Sequence, residues 1–356
     1  MSAIPDPMPH PQRRADAAYL DFVEGFREYL LGPGANFEQR LDAELRDEER
    51  RRGAPLRDVE AIREYLEAMP LTQLRNRLAR TQQEMKWHRL RGSFEEQRAE
   101  LAAELAAFDA RGPGRLLLDP QFQYPPYVNV NFHLQPAGYF KDELSGFLYH
   151  YGTKVFFRGD NDRDELHAGL VARVPAPADG RVARVLDLAC SIGQSSTAFK
   201  RRFPGAAVTG IDYSAPMLRA AHRRAVMLGD EVDYAQRLVE RTGFPDAHFD
   251  ITFAFIVFHE LPLRIIHETV REAARVTRPG GIFAIYDFTE TASKSPFQLY
   301  HRWFDARHNG EPYSQDFCDC DLDAILAAAG FEVAAAPVSQ RTGGAGYMKH
   351  WFATRR

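Results

Sequence analysis

Four residues in the second half of this sequence carry groups that could do chemistry at the ends of predicted strands. Asp187 lies in the stretch VLDLACSIGQSS, and Asp212 ends the stretch AVTGID, 25 positions later (212 − 187). His259 and Glu260 stand side by side in FIVFHELP. A buried carboxylate can hold a cation or accept hydrogen bonds from a ribose, and a histidine can act as a general base near neutral pH. To act together, these residues must meet at one edge of a sheet.

The chain around them alternates between candidate strands and helices, which is typical of a parallel sheet covered on both faces. Two further strand-like stretches, FEVAAAPVS and MKHWFATR, are joined by the glycine-rich QRTGGAGY and predict an antiparallel hairpin. We therefore expect an α/β fold with a doubly wound, mostly parallel seven-stranded sheet that ends in this hairpin. The strands predicted before the hairpin are 184–188, 207–211, 232–236, 249–255 and 281–287, with helices at about 195–203, 215–228 and 264–277 between them.

The turn after the first of these strands is poor in glycine. Ala189, Ser191 and Gln194 stand where a dinucleotide site would have glycines, and Gly193 alone remains. A side chain in this turn obstructs the close approach of a diphosphate, whereas the buried carboxylate of Asp187 favours a cationic ligand. The acidic residue after the next strand suits a ribose. The pattern thus indicates a ligand with a ribose and a cationic group but no phosphate.

Four stretches in order resemble those of the class I S-adenosylmethionine-dependent methyltransferases. They are VLDLACSIGQSS, AVTGIDYSAPMLRAAHRRA, FPDAHFDITFAFIVFHELP and REAARVTRPGGIFAIYDF, and the resemblance covers about 164–356. It implies S-adenosylmethionine as cofactor and methyl transfer to a carbon, oxygen or nitrogen atom of a small molecule, with specialised metabolism as one setting. The cofactor-binding residues that the resemblance implies are Asp187, Ala189, Cys190, Gly193, Asp212, Tyr213, Met217, Leu238, Val239, Phe255 and Ile256.

Leu238 departs from the family pattern. The family often has an acidic residue here, which reaches the adenine amine, so adenine recognition would fall to backbone groups or to Glu240. Other positions also have structural alternatives. These are a turn cap for Asp187, a helix cap for Asp212, core packing for Met217 and Leu218, and a small apolar filler for Cys190.

The acceptor should approach just past the fourth strand, at His259 and Glu260. Methyl transfer is an in-line displacement, so the protein mainly supplies alignment and a dry site. We expect both residues to be catalytic, with His259 as general base where the acceptor must lose a proton. The alternatives are a loop histidine and a helix cap. The predicted substrate-binding residues are Tyr139, Tyr149, Tyr151, Tyr286, Asp287 and Trp303, each aromatic having core packing as its alternative.

The first part of the chain differs in composition from the methyltransferase-like part. Apolar residues at helix spacing predict helices at 37–52, 56–68, 71–91 and 94–110, and Gly92 is expected to separate the last two. A long connection, 288–317, is expected to help choose the substrate. The predicted organisation is a disordered tail at 1–15, a helical accessory domain at 16–115, an aromatic lid or connector at 116–163 and a methyltransferase domain at 164–356.

Composition argues against several classes of protein. No apolar run approaches the roughly 20 residues of a membrane-spanning helix, and the N-terminus does not resemble a signal peptide. The three cysteines, Cys190, Cys318 and Cys320, do not make a disulfide framework, and no Cys/His spacing indicates zinc. A net charge of −4 gives no global reason to bind nucleic acid. We expect a cytoplasmic protein with no metal and no membrane partner.

Three other functions remain open from the sequence. The basic stretch LRNRLARTQQEMKWHRLR allows a methyltransferase that acts on RNA or another nucleic acid. A nicotinamide oxidoreductase and a non-catalytic subunit with a cofactor fold are the other two. The accessory helices could form a homodimer interface or a roof over the active site.

Overall fold

The computed structural model describes residues 7–157, 161, 163–288, 291, 294–334 and 348–356. Within them, the strands are β1 (Leu116–Leu117), β2 (Arg184–Leu188), β3 (Ala207–Asp212), β4 (Val232–Gln236), β5 (Phe249–Phe255), β6 (Thr277–Phe288), β7 (Phe331–Val333) and β8 (Met348–Arg355). They form one eight-stranded sheet in the order β1-β4-β3-β2-β5-β6-β8-β7. The first six strands pair in parallel, and β8 is antiparallel to both β6 and β7. This confirms the predicted mostly parallel sheet with a C-terminal antiparallel hairpin.

Helices flank the sheet and fill the N-terminal region. They are α1 (Arg14–Leu31), α2 (Phe37–Arg52), α3 (Val59–Glu67), α4 (Pro70–Glu95), α5 (Arg98–Phe108), α6 (Ser145–Phe157), α7 (Glu165–Arg173), α8 (Gln194–Arg202), α9 (Ala215–Leu228), α10 (Leu263–Val276), α11 (Pro296–His308), α12 (Ser314–Asp319) and α13 (Leu322–Ala328). Among the described residues, no helix is both long and apolar enough to cross a bilayer.

Two expectations about these elements were wrong. The sheet has eight strands rather than seven, because β1 adds a two-residue edge strand beside β4 that is too short to show as a pattern in the sequence. Gly92 lies inside α4 and does not separate two helices. A glycine in a helix costs about 1 kcal/mol, and the burial of Trp87, Leu90 and Phe94 on the same helix offsets that cost.

The sheet is covered on both faces by apolar side chains. One core packs α10 and α13 against β5, β6 and β8, with Phe258, Phe283 and Trp351 at its centre. The other packs α8 and α9 against the opposite face, around Phe199 and Phe253. The central strands are therefore held in place by packing on both faces.

The N-terminal helices pack directly against the methyltransferase-like part. A third core joins Trp87 and Phe94 of α4 to Phe147 of α6. It also includes Ile192, in the turn after β2, and Met217, in the first turn of α9. The chain is already packed near its start: Met8 is buried, and the carbonyl of Pro7 accepts a hydrogen bond from Arg223. Residues 1–6 of the predicted tail lie outside the described residues.

A fourth core anchors the connection at 288–317. Phe297 and Tyr300 of α11 pack against Leu41 of α2 and Ile62 of α3. The side-chain amide of Asn76 in α4 also donates to the Tyr300 hydroxyl at 2.6 Å. The described part of this connection is thus mostly helical and packs on the accessory helices.

Gly146 and Gly169 give a matched test of how closely α6 packs against α9. A Cβ atom on Gly146 would lie 2.6 Å from Cβ of Ala220 and 2.9 Å from the carbonyl oxygen of Pro216, whereas one on Gly169 would meet nothing within 4 Å. We expect Gly146→Ala to lower the free energy of unfolding by about 1–3 kcal/mol. Gly169→Ala should raise it by about 0.5–1 kcal/mol, because alanine favours a helix interior. Urea denaturation measures both, and equal stability of the two variants would contradict this packing.

Candidate active site

A cavity opens at the carboxyl ends of β2, β3 and β5, where the strand order reverses around β2. It encloses about 900 Å³ of space between atoms, part of it open to solvent. Gly193 does not line it: this residue begins α8 with φ 76°, and a Cβ atom there would collide with the Tyr234 hydroxyl. The predicted cofactor residues that do line the cavity are Asp187, Ala189, Cys190, Asp212, Tyr213, Met217, Leu238, Val239, Phe255 and Ile256.

Three cavity-lining residues other than glycine adopt the left-handed backbone conformation. They are Ala189 with φ 52°, Ser191 with φ 50° and Ile256 with φ 49°. The conformation is costly for a residue with a Cβ atom, most of all for a β-branched one, and it persists where the surrounding structure enforces it, often at functional sites. The turn after β2 therefore keeps a glycine-like backbone with little glycine.

Asp187 is the second-last residue of β2 and Asp212 the last residue of β3, and both are almost fully buried. Asp187 accepts a hydrogen bond from the Ser196 hydroxyl at 2.6 Å; Asp212 accepts from the backbone N–H of Ser214 at 2.8 Å and of Ser191 at 3.0 Å. Burial raises the pKa of Asp187 to about 7, and the Asp212 carboxylate adds to the shift. Burial also raises the pKa of Asp212 to about 6, although the two backbone N–H groups oppose it. Two such carboxylates favour a ligand that brings positive charge.

Glu240 does not reach the cavity as a replacement for the acidic residue missing at Leu238. Its carboxylate accepts a hydrogen bond from the Tyr127 hydroxyl, with O···O distances of 2.8 and 2.9 Å. Tyr127 lines the cavity, so this bond fixes one wall of it. Leu238 and Val239 present apolar side chains to the same space.

The segment between β1 and α6, together with α6 itself, supplies part of the cavity wall. Of the predicted substrate-binding residues, Tyr139 and Tyr149 line the cavity, and Val128 and Phe132 lie beside them. The Tyr139 hydroxyl donates to Glu260 at 3.1 Å. The aromatic composition of this segment indicated a wall, but it could not show which of its side chains face inward.

The structure places the other predicted substrate-binding aromatics away from the cavity. Tyr151 lies in the core shared with the N-terminal helices. Tyr286 lies in the core that α8 and α9 form on one face of the sheet. Its hydroxyl donates to the carbonyl of Leu170 at 3.1 Å. Trp303 lies on α11, with the guanidinium of Arg63 over its ring at 5.6 Å. For these three residues the structure favours the packing alternative.

His259 and Asp287 form one fully buried pair behind the cavity wall. Nδ1 of His259 lies 2.8 Å from a carboxylate oxygen of Asp287, and the same carboxylate accepts from the backbone N–H groups of Phe258 and Phe288 at 2.8 Å each. Burial lowers the pKa of His259, but Asp287 outweighs this and raises it above its ordinary value. Among the described residues, Nε2 of His259 has no hydrogen-bond partner. Asp287 thus orients His259 rather than lining the cavity.

His133 and Glu311 belong to this site and were missed in the sequence. Nε2 of His133 lies 3.1 Å from Glu260, and Nδ1 lies 3.2 Å from Glu311, which Arg302 holds at 2.7 Å. Burial lowers the pKa of His133, but the hydrogen bonds to Glu260 and Glu311 outweigh this and raise it to about 10. His133 lies in the connector and Glu311 in the connection after β6, so no local motif could have joined them.

In comparison with known proteins, residues 185–281 match a family described as a methyltransferase domain. Demethylmenaquinone methyltransferase of Thermus thermophilus is 35% identical over 122 residues, which are 33% of this chain and 53% of that protein. An uncharacterized methyltransferase of Synechocystis sp. is 28% identical over 42% of this chain and 67% of its own. Trans-aconitate 2-methyltransferase of Azoarcus sp. is 38% identical over 35% of this chain and 46% of its own. The chain therefore spans about half to two thirds of the length of these relatives.

Replacement of Asp287 tests the buried pair. Asp287→Asn leaves one oxygen where three groups require an acceptor, so we expect the free energy of unfolding to fall by about 2–4 kcal/mol. Asp246→Asn is the matched control, because the Asp246 side chain is 80% exposed and should change stability by less than about 0.5 kcal/mol. Chemical denaturation measures both variants. A loss at Asp287 no larger than at Asp246 would show that the pair is not held as described.

Proposed function

We propose that the protein transfers a methyl group from S-adenosylmethionine to a small-molecule acceptor, because this chain carries a class I S-adenosylmethionine-dependent methyltransferase domain. The match of residues 185–281 to a methyltransferase domain supports the family and the cosubstrate that the sequence motifs predicted. Two relatives are named for demethylmenaquinone and trans-aconitate, which are both small molecules and support that acceptor class. The proposal includes a carbon, oxygen or nitrogen atom as the acceptor and specialised metabolism as one setting.

The observation that carries the proposal is the pair of buried carboxylates at the head of the sheet. Asp187 and Asp212 both line the cavity, and burial raises the pKa of each. S-adenosylmethionine fits this environment because it brings a sulfonium and an ammonium group together with a ribose. In the proposed arrangement, Asp187 faces the methionine part and Asp212 the ribose. Leu238 and Val239 supply an apolar surface for the adenine.

S-adenosylmethionine, when bound, supplies an electrophilic methyl group. The protein's own contribution is to align the acceptor and exclude water, because a displacement of this kind depends on alignment. Tyr139 and Tyr149 wall the acceptor end of the cavity. Glu260 faces that space, whereas His259 lies behind it. Of the two predicted catalytic residues, Glu260 is therefore the one that would contact the acceptor directly. His259, buried behind the cavity wall, would act through its neighbours.

The nucleic-acid alternative receives little support from the basic stretch on which it rested. That stretch lies in α4. Arg75 and Lys86 are buried within the protein, and Arg80 and Arg89 form ion pairs with acidic side chains of the same molecule. Phosphate contacts need exposed cationic groups that are free to meet the backbone. Four cationic side chains of α4 are thus buried or paired within the protein and are not free to contact phosphate.

A transfer assay tests the proposal directly. The purified chain is incubated with S-adenosylmethionine labelled in its methyl group and with a panel of quinols, carboxylic acids, phenols and amines. We expect label in one of these acceptor classes and an equal amount of S-adenosylhomocysteine. An RNA pool serves as the comparison acceptor. Retention of a dinucleotide together with no binding of S-adenosylmethionine would overturn the proposal.

Binding of S-adenosylmethionine should depend on pH through the two carboxylates. Only an ionised carboxylate attracts the cationic ligand, and the pKa values of Asp187 and Asp212 are about 7 and about 6. Affinity should therefore rise from pH 6 to pH 8 and level off above that range. At pH 6 roughly a tenth of Asp187 and about half of Asp212 are ionised, so we expect affinity to be roughly 10–20-fold lower than at pH 8. Isothermal titration calorimetry across this range measures the profile.

Asp187→Asn isolates the contribution of this carboxylate to the binding of S-adenosylmethionine. The variant should bind S-adenosylmethionine more weakly than the wild type at pH 8, and its affinity should vary less with pH. Asp246→Asn, on the surface, should keep both the affinity and the slope of the wild type. A profile as steep in Asp187→Asn as in the wild type would assign the pH dependence to another group.

A further inference from the structure

We propose that His133, His259 and Glu260 bind one divalent transition-metal ion, of the zinc class, at the acceptor end of the cavity. One ligand atom from each residue lies within 4.8 Å of the other two. Two imidazoles and one carboxylate are a donor set that suits zinc and neighbouring first-row divalent ions. This inference reverses the sequence-based expectation of no metal. His133 is 126 positions from His259 (259 − 133), a separation at which no ligand motif can be recognised.

The distances are compatible with closure around an ion. Ligand atoms about 2.0–2.2 Å from a zinc ion are about 3–3.5 Å from one another. Nε2 of His133 and the carboxylate oxygen of Glu260 are already 3.1 Å apart. The imidazole of His259 would have to move toward them by about 1 Å or a little more, which is within the reach of side-chain adjustment.

Each histidine is oriented by a carboxylate on its other ring nitrogen. Asp287 contacts Nδ1 of His259 at 2.8 Å, and Glu311 contacts Nδ1 of His133 at 3.2 Å. Histidines that bind metals commonly have such a partner, which fixes the tautomer and directs the free nitrogen at the ion. In both histidines the nitrogen left for the ion is Nε2. This double arrangement is independent of the spacing of the three ligand atoms.

The unpartnered nitrogen of His259 points to a missing ligand. Its side chain is fully buried, and within the described part of the chain Nε2 has no hydrogen-bond partner. A buried polar atom without a partner is unusual in a folded protein and calls for an explanation such as an ion. A metal bound at Nε2 would satisfy it. It would also bring positive charge to a site that holds the carboxylates of Glu260, Glu311 and Asp287.

The position of the site suggests what the ion would do. Glu260 lines the cavity, so an ion bound to it lies at the cavity wall. Three protein ligands leave at least one coordination position for a small molecule. An acceptor with an oxygen or nitrogen donor atom could occupy that position and be held for alkylation. This second step rests on the proposed function, whereas binding of the ion does not.

The experiment measures metal binding to the full chain after treatment with a chelator. Calorimetry with Zn²⁺, together with the visible absorption of bound Co²⁺, should show close to one site per chain. His133→Gln and Glu260→Gln should each weaken Zn²⁺ binding by at least tenfold and change the Co²⁺ spectrum. Glu311→Gln should weaken it by about 10–100-fold, as expected for a residue that orients a ligand. His248→Gln is the matched control, because His248 packs against Phe244 and Phe249 and should leave binding unchanged.

Two results would overturn the proposal. One is a wild-type chain that binds neither Zn²⁺ nor Co²⁺ more tightly than about 0.1 mM. The other is binding that His133→Gln and Glu260→Gln leave intact, which would place the ion elsewhere. The first result would mean that a protonated His133 bridges Glu260 and Glu311 without an ion.

The affinity of each variant for S-adenosylhomocysteine is the control for folding and for the proposed function. We expect it to stay within about threefold of the wild type, because none of the four replaced side chains is assigned to the cofactor. His133 and Glu260 both retain some exposure in the wild type, whereas Glu311 is buried, so His133→Gln and Glu260→Gln are less prone to a folding defect than Glu311→Gln. Metal binding without methyl transfer would uphold the site and reject the function. Methyl transfer unchanged by chelation, with no metal bound, would do the reverse.

Discussion

The burial of Asp187 and Asp212 at the ends of adjacent parallel strands is the constraint on which the rest of this site depends. A carboxylate removed from water is costly unless a cation or hydrogen bonds compensate. Here hydrogen bonds from Ser196, Ser191 and Ser214 compensate only in part, because the pKa values stay raised. The cavity is consequently suited to a ligand that carries positive charge.

The sequence was most informative where function depends on residues close together along the chain. The turn after β2, the acidic end of β3 and the strands themselves follow local patterns, and ten predicted cofactor residues do line one cavity. It was least informative about side chains brought together over long distances. His133 and Glu311 meet only because the connector and the connection after β6 fold onto the same end of the sheet. The inward-facing tyrosines could not be told from Tyr151 or Tyr286, since composition does not show which face a residue occupies.

His259 and Asp287 illustrate the same limit at closer range. They were predicted separately, one as a general base and the other as a substrate contact. In the structure β5 and β6 are neighbours, so the residues that follow or end these strands form one hydrogen-bonded unit. Such pairing depends on strand order, which sequence periodicity alone does not determine. The chemistry of His259 is therefore decided by a partner on another strand.

The packing of the accessory helices against the turn after β2 bears on how this protein could evolve. Ile192 and Met217 share a core with Trp87 and Phe94, and the wall of the cavity comes from the segment that joins the two parts. A fragment starting near residue 164 would lose that wall and leave an apolar surface open to water. The helical region is thus inseparable from the catalytic part. Recombination that exchanged this region between relatives would alter the shape of the substrate chamber together with the stability of the whole chain.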